Sequence, residues 1–256
     1  MKTILYILLS LTITSVGQNQ GLYGYDPNDT TFYTFNGKWC VFSVEPTEGL
    51  IYKFDYQSDS NSTSESLGIT YYNNFYDLSE NGNTFTATGT ERPIKTDDGA
   101  VFDGINDQMS ATIDLSTSFT IYIRAKLNSL TEFQSFFGYD NTYLYAWYST
   151  GSISAQLFDN TEVIRPRSVT ATMQQDVLYN MFLTFNTTSK TVIYTVVDLA
   201  TDDDTNILFT NLSATADFRI GSRGATGFTN MTLLKFYIYN RVLTNEELSI
   251  LNQINY

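Results

Sequence analysis

The stretch Ser118-Phe119-Thr120-Ile121-Tyr122-Ile123-Arg124-Ala125-Lys126-Leu127 alternates residue by residue. Phe119, Ile121, Ile123, Ala125 and Leu127 fall on one face, and Thr120, Tyr122, Arg124 and Lys126 on the other. Successive side chains leave a pleated backbone on opposite sides, so this alternation predicts a half-buried strand. It also predicts strands over Leu178 to Phe185, Thr191 to Val197 and Leu233 to Tyr239, where Leu234, Phe236 and Ile238 share a face. Shorter apolar segments at Leu50 to Phe54, Phe133 to Phe137, Tyr143 to Trp147 and Ile153 to Phe158 continue the rhythm. Asn186-Thr187-Thr188-Ser189-Lys190 reads as a polar hairpin connection. Many short strands with almost no helical periodicity mean an antiparallel sandwich or barrel.

One helix is expected. Thr244-Asn245-Glu246-Glu247 has the spacing of a capping box, and Leu248, Leu251 and Ile254 follow at intervals of three. Such a short amphipathic helix would cover a sheet edge or an open end of the sandwich.

Composition removes several chemistries. The 256 residues include no histidine, so there is no His-based triad, general base or metal ligand. The single cysteine, Cys40, excludes a zinc finger, an iron–sulfur site and an intrachain disulfide. With 14 basic against 27 acidic residues, a net charge of −13 and no basic run, the surface is wrong for nucleic acid.

The start of the chain reads as an address. Lys2 precedes Ile4-Leu5-Tyr6-Ile7-Leu8-Leu9, and Ser15-Val16-Gly17 supplies small residues, the pattern of a secretory signal over residues 1–17 cleaved before Gln18. The apolar run is short of the roughly 20 residues of a membrane span, so the expected location is secreted, with no membrane span after cleavage. Export makes the sequons at Asn28, Asn61, Asn186, Asn211 and Asn230 glycosylation candidates in a eukaryotic host. It also leaves Cys40, beside Trp39, Val41 and Phe42, as either a buried thiol or an intermolecular crosslink. Residues 18–48 form an aromatic-rich extension in which Phe32-Tyr33-Thr34-Phe35 and Trp39-Cys40-Val41-Phe42-Ser43-Val44 read as one or two strands.

From residue 49 to the end at 256, a series of motifs resembles one family. Gly49-Leu50-Ile51-Tyr52-Lys53-Phe54 is followed by Asp77-Leu78-Ser79-Glu80-Asn81-Gly82-Asn83, then by Ala100-Val101-Phe102-Asp103-Gly104 and Ser118-Phe119-Thr120-Ile121. Tyr179-Asn180-Met181-Phe182-Leu183-Thr184-Phe185 stands where the family often begins a strand with histidine. Arg219-Ile220-Gly221-Ser222 and Tyr239-Asn240-Arg241-Val242-Leu243-Thr244-Asn245-Glu246-Glu247 close the series. In this order they resemble the laminin-G-like, concanavalin A-like lectin/glucanase jelly rolls. The resemblance implies an all-β, two-sheet antiparallel jelly-roll sandwich with a short C-terminal helix, its first and last strands close together.

That superfamily holds lectins, adhesion modules and glycosidases, so the site must decide. The glucanase pattern Glu-x-Asp-x-Glu is absent, and the acidic run Asp202-Asp203-Asp204 reads as a solvated loop, which leaves no catalytic residue to nominate. Glycoside hydrolysis is therefore only a second alternative. Asp103, Asn106 and Asp107 supply three oxygen-bearing side chains within five residues, a candidate calcium site, though Asp-Gly and Asn-Asp are also ordinary turn formers. The densest aromatic segment nominates Asp140, Asn141, Tyr143, Tyr145 and Trp147 for a sugar or protein ligand, with about half of its rings expected in the core. The expected function is a secreted, non-catalytic recognition or adhesion module binding glycan or extracellular protein. The first alternative is a structural subunit of a fibre, coat or virion that self-assembles through the extension.

Overall fold

A computed structural model describes residues 33–35, 38–40 and 45–253, apart from 59, 88–89, 132, 140–143, 150–151, 158–166, 170–172, 198–199, 205–216 and 225. The chain divides into a unit over Met1–Phe42 and a larger one over Ser43–Tyr256. In the smaller unit, strands Tyr33–Phe35 and Lys38–Cys40 pair antiparallel as a two-stranded sheet of their own, with Tyr33 opposite Cys40. The Cys40 thiol lies outside the described side chains.

The larger unit is all-β, with 17 strands in one hydrogen-bonded antiparallel network and the single helix Asn245–Gln253 among the described residues. One run of the network follows the order Ala200–Asp204, Thr191–Val196, Leu178–Asn186, Phe119–Leu127, Asn230–Tyr239. The first half of Asn230–Tyr239 then pairs with Gly99–Asp103 and its second half with Leu50–Asp55, so the unit's first and last strands are neighbours, as expected. The other run takes in Ile69–Phe75, Phe85–Thr86, Met109–Thr112, Asp217–Ile220, Gln134–Tyr139, Leu144–Ser149, Ser152–Leu157 and Arg167–Val169. Ile94–Thr96 bridges the runs by pairing with both Gly99–Asp103 and Ile69–Phe75. The terminal strands Arg167–Val169 and Ala200–Asp204 approach within 8 Å between Cα atoms. The hydrogen bonding therefore describes one large antiparallel sheet nearly closed like a barrel.

The expected core face of the central strand is observed. Phe119, Ile121, Ile123, Ala125 and Leu127 are all buried in a core filled with aromatic rings, among them Phe54 stacked on Phe75 at 3.9 Å and Tyr52 tilted against Phe85 at 4.5 Å. The opposite face differs from expectation. Thr120 and Tyr122 are buried too, because the helix lies across this face and not at an edge or open end. Tyr122, Phe182, Tyr237 and Tyr239 form a second apolar layer closed by Leu243 and Leu251.

The helix begins as its capping box predicts: the Glu247 N–H donates to Thr244 Oγ1 at 3.2 Å, and the Thr244 N–H to Glu247 Oε2 at 2.8 Å. Ile254 lies outside the described residues. Strict alternation fails in the last strand, because the register shifts opposite Arg124 and Ala125 and leaves Leu234 as a bulge. Met231, Leu233, Phe236 and Ile238 therefore reach the core, while Leu234 does not join Phe236 and Ile238 there. No described helix is long and apolar enough to cross a membrane.

Candidate functional site

The turn after Gly99–Asp103 brings the three calcium candidates together. Asp103 Oδ1 accepts the N–H groups of Ile105 at 2.7 Å, Asn106 at 3.2 Å and Asp107 at 3.4 Å. Asp107 Oδ2 accepts the Asp103 N–H at 2.9 Å, and Asn106 Nδ2 reaches Thr90 Oγ1 at 3.5 Å. These contacts turn carboxylate lone pairs toward the backbone of the turn itself, as Asx turns do. Gly104 sits at φ 77°, and a Cβ there would come within 2.9 Å of Asn230 Cβ. Among the described residues no group of three or more His, Cys, Asp or Glu is placed to hold a metal. Asp107 is only 4% exposed. That burial pushes its carboxyl up to about 7, with the Asp103 N–H opposing and the Asp103 charge reinforcing the rise.

The aromatic candidates are partly resolved by register. Asp140, Asn141 and Tyr143 lie outside the described residues. Tyr145 and Trp147 lie in Leu144–Ser149 and pair with Gly138 and Ser135, alternating with Ala146 and Tyr148, which are core. Phe136, Phe137 and Tyr139 are core as well, since the register shift between Ser135 and Phe137 breaks the alternation.

Asn28 and Asn211 also lie outside the described residues. Asn61 is 7% exposed, and its Nδ2 donates to the carbonyls of Asp55 at 3.1 Å and Ser58 at 3.2 Å while its Oδ1 accepts the Tyr76 N–H. Its amide is built into a turn. Asn186 opens an exposed hairpin turn, where its Oδ1 accepts the N–H groups of Thr188 and Ser189. Asn230 is half-buried at a strand start, and the Thr232 hydroxyl of its sequon donates to Asn128 Oδ1 at 2.9 Å.

Two polar clusters that sequence reading did not assemble stand out. Along the helix-bearing face, Arg124 lies opposite Asn180 and Lys235, and Lys235 opposite Asp55. Lys235 Nζ is 3.4 Å from Asp55 Oδ2 and 3.9 Å from Glu45 Oε1. Glu45 also pairs with Lys53 and accepts the Tyr237 hydroxyl at 3.1 Å, which ties residue 45 to the sheet. Tyr122 donates to Asn180 Oδ1 at 2.9 Å, and Asn180 to Asn252 Oδ1 at 2.8 Å, fastening the helix end. Burial drives the Tyr122 and Tyr237 hydroxyls far above their ordinary range, so both remain neutral donors. This cluster mixes both signs of charge and holds the helix and residue 45 in place.

The second cluster sits on the hairpin Ser62–Ser66/Ile69–Phe75. Arg92 lies over the Tyr71 ring at 4.9 Å, and its Nη1 donates to Ser64 Oγ at 2.8 Å and Asn73 Oδ1 at 3.2 Å. The neighbouring Glu91 accepts a bond from buried Gln108 at 2.7 Å. Gln108 in turn accepts from Arg219 and Ser222, both at 2.7 Å. The only sequence signal for this site is that Arg92 is one of few basic residues in an acidic chain.

No family model matches the chain, and no curated protein does. Solved structures do resemble it in fold. The binding domain of Paraclostridial Mosquitocidal Protein 1 superposes with a TM-score of 0.62 at 14% identity, covering 80% of this chain and 52% of that one. The ligand binding domain of botulinum neurotoxin serotype D, solved with N-acetylneuraminic acid, gives 0.57 at 11% identity, covering 82% and 52%. Trypanosoma rangeli sialidase gives 0.57 at 16% identity, covering 79% and 32%. The chain thus spans about half the length of the toxin domains and about a third of the sialidase. At these identities the likeness is one of fold. It places the chain in a class of β-rich folds that includes toxin binding domains.

Proposed function

We propose that this chain is a secreted, non-catalytic recognition module on a two-sheet jelly roll of laminin-G/concanavalin A type, binding glycans or proteins at an extracellular surface. The observation that carries this reading is the fold shared with toxin binding domains, one of them solved with a bound sugar. Support for a non-catalytic role comes from the chain's acids. It has no histidine, and the carboxylates of Asp103 and Asp107 are turned to backbone amides instead of to a common cleft. The two runs of strands bridged by Ile94–Thr96 support a jelly roll whose two sheets meet at one corner. A glycan array probed with the folded, labelled protein tests it. Dose-dependent binding to a related set of glycans is expected, with no turnover of fluorogenic glycosides. A blank array, or turnover, overturns it.

The alternative, a structural subunit assembled through the extension, has one observation on its side: Tyr33–Phe35 and Lys38–Cys40 form a separate sheet. Light scattering of the chain with and without residues 18–42 separates the two. Glu45 is kept because it bonds to Lys53 and Tyr237. Polymers that vanish on deletion favour assembly.

A further inference from the structure

The described sequon asparagines differ in which side-chain atoms the fold leaves free. Asn186 ends the strand Leu178–Asn186, and its Oδ1 accepts the N–H groups of Thr188 at 2.9 Å and Ser189 at 3.1 Å. The turn thus engages the oxygen and leaves the nitrogen. Among the described residues Nδ2 donates to nothing, and it is not one of the buried side-chain atoms that lack a partner, so it is open to solvent. Thr187 to Lys190 are all exposed, and the Thr188 hydroxyl that completes the sequon has no described partner either.

Asn61 is the reverse case. It is 7% exposed, its Nδ2 is held by the Asp55 and Ser58 carbonyls, and its Oδ1 by the Tyr76 N–H. A sugar on that nitrogen would take the place of a bonded hydrogen and need room that burial denies. In the third sequon, Asn230 opens a paired strand and Thr232 is 2% exposed, with its hydroxyl bonded to Asn128. That sequon is open only before the strand forms.

We propose that, of these three, Asn186 is the one that carries an N-linked glycan in the folded protein, taken from a diphospholipid-linked oligosaccharide in a secretory lumen. The bond from Nδ2 to the sugar C1 forms as the C1–O bond to the diphosphate breaks. The lipid diphosphate leaves with that electron pair and Nδ2 gives up one proton, so nothing is oxidised or reduced. Both Oδ1 bonds of the turn survive, and one hydrogen remains on Nδ2. This rests on the secreted reading above and adds where the chain's own carbohydrate sits.

The test is expression of the whole chain in cultured mammalian cells, with soluble protein recovered from the medium and the secretory lumen. Release of its glycans by peptide N-glycosidase in ¹⁸O-water turns each asparagine that carried one into ¹⁸O-labelled aspartate, read by mass spectrometry. Label at position 186 is expected to exceed that at 61 at least ten-fold. T188A removes the sequon hydroxyl but keeps Asn186 Oδ1 and both N–H groups of the turn, so it should abolish the label at 186 without moving the urea midpoint of the deglycosylated chain. T188S should restore the label. The site is overturned if the exported chain is bare at 186, if Asn61 is labelled as fully as Asn186, or if T188A keeps the label. A chain found only in the cytosol overturns the secreted reading together with the site, whereas an exported chain bare at 186 removes the site alone.

Discussion

Asp77 is expected to be the most damaging polar residue to remove outside the core. The motif Asp77 to Asn83 lies along the free edge of Leu50–Asp55 and satisfies it mainly with side chains. Asp77 Oδ1 accepts the N–H groups of Lys53 at 3.1 Å and Ser79 at 2.8 Å, and Oδ2 that of Asn83 at 3.1 Å. Asn81 and Asn83 donate to the carbonyls of Leu50 at 2.8 Å and Ile51 at 2.7 Å, while the Leu78 N–H takes that of Lys53 at 2.9 Å. An open strand edge is a template for pairing with another chain, and this loop closes it. Each hydrogen bond to a charged acceptor contributes about 1.5–3 kcal/mol, and three that share one carboxylate do not add fully. Asp77→Ala should therefore cost about 3–5 kcal/mol, and Asp77→Asn, which keeps one accepting oxygen, about 1–2 kcal/mol. The assay is urea unfolding at neutral pH. With a slope near 2 kcal/mol/M, the alanine variant's midpoint should fall by about 1.5–2.5 M at unchanged slope. An alanine variant within about 0.5 kcal/mol of the parent, or an asparagine variant as weak as alanine, would refute the edge-cap account.

Three further outcomes concern the same unit. Gly221 sits at φ 88°, and a Cβ there would meet the Phe102 ring at 2.4 Å. Gly221→Ala should cost about 2–4 kcal/mol in the same urea assay, and a neutral result would mean that the 219–222 segment repacks freely. Asp107 ionises near 3.8 when unfolded but near 7 when folded, so the folded state binds the extra proton between those values. Parent stability relative to Asp107→Asn should then fall as pH rises from about 4 to 7, by up to about 4 kcal/mol, and level off above. A difference that is flat with pH contradicts the buried carboxyl. Because the Asp103 and Asp107 oxygens already accept backbone N–H groups, millimolar calcium should leave the melting midpoint where chelator leaves it. A calcium-dependent rise would return these residues to a metal role.

What could be read from the sequence divides along a physical line. Periodicity finds strands that separate an apolar face from a polar one, which is why Phe119–Leu127, Leu178–Asn186 and Thr191–Val196 were predictable almost to the residue. Ser62–Ser66 has no apolar residue, and no periodic signal could mark it. Its strand state comes instead from a turn in which Leu67 at φ 55° and Gly68 at φ 77° reverse the chain against Ile69–Phe75. That strand supplies Ser64 to the Arg92 cluster, so a contact of the fold depends on an element that periodicity cannot detect. The Leu234 bulge is equally silent in sequence, since an inserted residue in an apolar strand looks like one more apolar residue. The turn motifs behaved differently. Asp77 to Asn83 and Asp103 to Asp107 were legible because small polar residues at fixed offsets bond their own backbone, and the structure uses both in that way. That same chemistry counts against treating oxygen-rich turns as ligand sites.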